Sequence, residues 1–154
     1  MRSYLIIVAL IMCFLKSEAQ PKESDKLYWK ALKSYTNYLD TAYKDRTLKP
    51  QVIYLKQQDF IDSIPRYMNG YKIELITNQN YKSLYKQHGG HLTHTVMFPV
   101  KLIAGRAEIN VIPYSGTLKR KDLNLGLSDG VNIIFKFNCD QGEFFVSDVK
   151  AWGI

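Results

Sequence analysis

Disulfide stapling is the first thing this chain lacks the means for. Its 154 residues hold two cysteines, Cys13 and Cys139. The first falls in a leader expected to be removed, so no intrachain disulfide can form and packing alone must hold the fold. The remaining thiol has no His or Arg beside it in sequence to favour a thiolate, and it reads as a buried or shielded group at a hairpin tip. Long apolar runs are missing as well: the longest, at 4–15, falls short of the roughly 18 to 20 residues needed to span a bilayer. Also absent are a Gly-x-Ser-x-Gly elbow, a phosphate-binding glycine loop, a dinucleotide fingerprint and a His-Glu-x-x-His helix. Their absence removes the hydrolase, kinase and dehydrogenase classes that usually announce themselves, without excluding every enzyme.

What is present begins with an address. Met1-Arg2-Ser3, the apolar run, and then Ser17-Glu18-Ala19 have the parts of a secretory signal peptide, with small residues three and one positions before a cut after Ala19. A lipid-attachment reading at Cys13 fails on bulky Met12 before it and Phe14 after it. The expected organisation is therefore a signal peptide at 1–19 and one domain at 20–154, exported to the periplasm or the medium of a bacterium. The chain carries 21 basic and 14 acidic residues, a net +7, and loss of the leader lowers that by one unit. Such a balance suits an acidic glycan, an anionic lipid surface or an acidic protein partner. No nucleic-acid-binding motif occurs.

From Asp25 onward, Tyr28, Leu32, Tyr35, Leu39 and Ala42 recur at the spacing of one helical face, and Lys26, Lys30, Lys33, Asn37, Thr41 and Lys44 on another. This predicts an amphipathic helix of about twenty residues with a solvated lysine stripe. A strand is expected at 51–56, and Asn69-Gly70 signals a hairpin into a second strand at 71–76. A short helix at 78–87 is stopped by Gly89-Gly90. Beyond it, turns at 104–105, 128–130 and 139–142 give a five-strand antiparallel meander. In that register Leu102 faces Ala107, Lys101 faces Glu108, Leu127 meets Val131, Phe137 meets Phe144, and His94 lies opposite Ser115. The fold class is α+β, an N-terminal helix packed on a curved, mostly antiparallel sheet. This order of elements resembles the cystatin-like and nuclear-transport-factor-2-like folds. The resemblance rests on order alone, and folds of this arrangement often form a cavity between helix and sheet.

Two clusters bear on chemistry. His88, His91 and His94, the chain's three histidines, invite zinc or copper. Residues three apart on a strand lie roughly 10 Å apart and on opposite faces, so one ion cannot take all three from a strand. His88 and His91 can meet around Gly89-Gly90, and they are the candidate metal ligands. His94 reads as a satisfied, half-buried histidine, or as an acid or base lining a pocket. Lys119-Arg120-Lys121 is the sharpest basic cluster, a candidate polyanion site at the turn before Leu123. Asp59 and Asp62 read as loop capping.

The reading is a small exported binding module, without a cofactor, contacting an anionic partner through residues 119 to 121 or through a cavity at His94. Two alternatives stand beside it: a pocket enzyme or metal protein built on the histidines, and an inhibitor or immunity protein for a secreted partner, its tail Trp152-Gly153-Ile154 serving as a docking edge.

Overall fold

The computed structural model describes residues 23–43, 49–120, 122–127 and 129–153. The expected leader and its expected cleavage site lie outside that description, as does Lys121. Among the described residues the protein is a mixed α+β fold of two helices and one open sheet of nine strands. Helix α1 (Glu23–Ala42) precedes β1 (Val52–Lys56), β2 (Tyr67–Met68) and β3 (Tyr71–Ile76). Helix α2 (Tyr81–Gln87) then leads to β4 (His91–Met97), β5 (Lys101–Ile103), β6 (Arg106–Lys119), β7 (Asp122–Leu127), β8 (Asp129–Asn138) and β9 (Glu143–Gly153).

The helical periodicity is realised in burial. Tyr28, Ala31, Leu32, Tyr35 and Leu39 of α1 are buried against Ile53, Ile73, Met97, Ile109, Val131 and Ile133 of the sheet, each large side chain contributing about 1.5–3 kcal/mol. Ala42 is exposed. Two polar anchors fix where the helix lies. The Asp25 carboxylate, itself buried, accepts from the Asp62 backbone N–H at 3.2 Å and from Ser63 Oγ at 3.0 Å. At the Asn69-Gly70 turn, Asn69 Nδ2 donates to Thr36 Oγ1 and Asn37 Oδ1 on α1.

Strand order is β2-β3-β1-β4-β6-β8-β9, with β5 and β7 also paired to β6. The sheet is mixed, because β1 runs parallel to both β3 and β4 while the other pairings are antiparallel. The passage from β3 through α2 to β4 crosses over β1. It lays α2 on the face opposite α1, where Tyr85 packs with Ile76 and Leu92. Strand alternation separates these faces, Ile73 pointing to α1 and Ile76 to α2.

Two of the three expected hairpin registers hold: Lys101↔Glu108 with Leu102↔Ala107, and Phe137↔Phe144 with Phe135↔Val146. The third does not, and with it the five-strand meander becomes four ribbons. Leu127 pairs with Tyr114 and Val131 with Val111, so β7 and β8 run on as successive partners of β6, one residue out of step between them. Gly130 in that stretch answers a packing need instead of a turn: a Cβ there would sit 2.4 Å from the Trp152 ring on the neighbouring strand. The reversal falls earlier, between Lys119 and Asp122, with Arg120 at φ +57°. A similar slip at 98–100 puts His94 opposite Tyr114 in place of Ser115. Cys139 occupies the expected hairpin tip but is exposed, correcting the expectation of a shielded thiol.

Candidate functional site

The chain brings its two sequence-predicted clusters together at one end. The turn after α2 is made by Gly89 and Gly90, both at positive φ, and the β6–β7 turn lies beside it. Leu118 N–H donates to Gly90 O at 2.8 Å, and His91 Nδ1 lies 3.1 Å from Thr117 Oγ1. Exposed His88, His91, Lys119 and Arg120 are therefore carried on adjoining turns, with Lys86 in the last turn of α2. Asp122, paired across the turn with Lys119, is the acidic residue of that hairpin end.

The two candidate metal ligands have different partners. His88 Nε2 is held by the Tyr54 hydroxyl at 2.9 Å with the rings edge to face, whereas His91 is tied to Thr117. Among the described residues no group of three or more His, Cys, Asp or Glu side chains is placed to hold a metal ion.

His94 lies apart from both, at 4 % exposure on the α2 face of β4. Its Nδ1 is 2.8 Å from the Tyr85 hydroxyl, and the Tyr114 ring stacks beside it from the paired strand. Desolvation, and secondarily the Lys56 charge, push the imidazole below its usual pKa, so it is neutral at neutral pH. Burial pushes the Tyr85 phenol up, which keeps its proton on. The close approach of Tyr85 depends on Gly116, where a Cβ would come 1.9 Å from the hydroxyl oxygen.

Two of the cavities among the described residues lie on opposite faces of the sheet. One of about 380 Å³ lies between the C-terminal half of α1 and β1, β4, β6 and β8, with Tyr35, Tyr38, Thr95 and Asp129 in its walls. Burial pushes the Tyr35 phenol up to about 12. Tyr43 and Pro50, on either side of residues 44–48, form part of its border. The other, of about 640 Å³, opens on the α2 face and is the one His94 borders, with Lys56, Tyr81, Tyr85, Leu123 and Leu125. His94 thus lines a pocket, as the sequence allowed, but on the face away from the long helix. Tyr85, Gly116 and Lys56 were not singled out from sequence as its partners. The available signal was the i, i+4 spacing of Tyr81 and Tyr85, which marks the packed side of α2 without saying what it meets.

No helix among the described residues is long and apolar enough to cross a membrane. No protein-family model, curated protein or solved structure matches this chain.

Proposed function

We propose that this chain is an exported binding module whose basic end captures an acidic glycan, with no chemistry of its own. The observation that carries this reading is the joining of the Gly89-Gly90 turn to the β6–β7 turn through Leu118 and Gly90. That bond brings together the turns that carry His88, His91, Lys119 and Arg120, with Lys86 in the last turn of α2. A glycan suits the surface better than a lipid bilayer does. Among the described residues that flank the two turns, Leu118 at the end of β6 is packed inward against the α2 cluster and is not available to insert between lipid tails. Charge held on two short turns tied by a backbone hydrogen bond is also preorganised, so little ordering entropy is lost on binding.

The test is retention on immobilised heparin. Replacing Lys119, Arg120 and Lys121 with glutamine is expected to lower the eluting salt concentration clearly more than replacing Lys26, Lys33 and Lys136, which are exposed elsewhere and remove the same total charge. Equal losses would reduce the interaction to net charge and end the localised reading. Binding to anionic vesicles with no preference for heparin would overturn the glycan in favour of a lipid surface.

A further inference from the structure

The pocket on the α2 face is built differently from the basic end, and it calls for a different kind of ligand. Its inner part is an imidazole that the fold has taken out of water and oriented. His94 is buried by its neighbours, its Nδ1 is occupied by Tyr85, and Tyr114 stacks on its ring. Taking the Tyr85 hydroxyl as the donor to Nδ1 assigns the ring proton to Nε2, the nitrogen left to meet a ligand. Lys56, on the same face of β1, borders the same space.

The rest of the lining divides by chemistry. Ile76, Leu123 and Leu125 give an apolar wall, and Leu125 is 48 % exposed on a strand whose neighbouring residues are paired, so the fold leaves a large apolar side chain facing the opening. Thr77, Asn78 and Gln79, at the start of the α2 segment, give a neutral polar rim, and Asp59 lies on the rim as its acidic member. At about 640 Å³ the space is that of a small organic molecule. A neutral polar ligand would leave Lys56 unmatched. A wholly ionic one would leave Leu123 and Leu125 against water.

We infer that this pocket binds a small carboxylate with an apolar body, its carboxylate between Lys56 and His94 Nε2 and its hydrocarbon against Ile76, Leu123 and Leu125. The Tyr85–Gly116 contact serves this site by holding the imidazole in place. A backbone with a Cβ at 116 would push Tyr85 away and let the ring turn. The inference stands apart from the glycan reading, since it uses neither turn of the basic end.

The experiment is calorimetric titration with octanoate, with octanol as the uncharged control, and with the His94 ring nitrogens followed by NMR. Expected are one-to-one binding of octanoate near neutral pH and a shift of the His94 signals that His88 and His91 do not share. Lys56→Gln, at an exposed position, should weaken octanoate about tenfold, the size of one charge-assisted contact, and leave octanol unchanged. Leu125→Asp should abolish both. Absence of saturable binding would overturn the inference, as would octanol binding as tightly as octanoate. So would octanoate binding that survives Leu125→Asp in a folded variant, or that leaves the His94 signals unmoved.

Discussion

At the scale of single residues, His94 shows how a buried titratable group ties stability to pH. Its pKa is held below the ordinary 6.5 by desolvation first and by Lys56 second. As pH falls below that value the unfolded chain takes up a proton that the folded chain resists, so the imidazole's contribution is complete above pH 6.5 and is lost towards the depressed folded pKa. Glu108 acts lower. A hydrogen bond from Asn132, and then Arg106, hold its carboxyl below 4.5, so its contribution is lost only on further acidification. Arg106 Nε lies 2.6 Å from Glu108 Oε1, and it supplies the ion pair that the cross-strand position of Lys101 had suggested. The interval between about pH 7.5 and pH 5.5 therefore separates the His94 contribution from that of Glu108. The melting temperature is expected to fall across it in the parent protein and to fall less in His94→Gln. Equal slopes in thermal melts would place the acid sensitivity elsewhere.

Among the elements, those specified locally were legible. Asn69-Gly70 makes its hairpin because both residues hold positive φ, at +50° and +82°, and that requirement is written in the residues themselves. The buried stripe of α1 follows from spacing, and the stop after α2 from its two glycines. Serine, aspartate and glycine at 128–130 misled because glycine has two uses, conformational freedom and lack of bulk, and sequence does not separate them. Here the second applies, since Trp152 occupies the space over Gly130. Gly130→Ala is expected to displace the indole and red-shift its emission, read in a Trp29→Phe background so that Trp152 reports alone. Its destabilisation in urea should be about 1–3 kcal/mol, the usual result of overpacking. Unchanged emission would show that the ring does not lie there. The candidate site was legible in part for the same reason. The basic turn and the histidine cluster could be named, but their adjacency depends on β4 and β6 pairing, and the Tyr85–His94 contact depends on where α2 folds back, neither of which is a local property.

For the molecule as a whole, the fourteen residues of β6 are bonded to β4 and β5 along one side and to β7 and β8 along the other. Four strands thus take their alignment from one, and closing those pairings comes before most of the core can form. Ile109→Val, at a fully buried position of β6, removes roughly 0.5–1.5 kcal/mol. That loss is expected to appear mainly as slower refolding in stopped-flow. Leu84→Ala, in the peripheral α2 cluster, should instead mainly speed unfolding. The reverse pattern would place the folding nucleus outside β6. Until residues 106–119 are seated, the flanking strands present bare hydrogen-bonding edges to other chains. Aggregation during folding is therefore governed by how quickly this one segment arrives, more than by the stability of the finished protein.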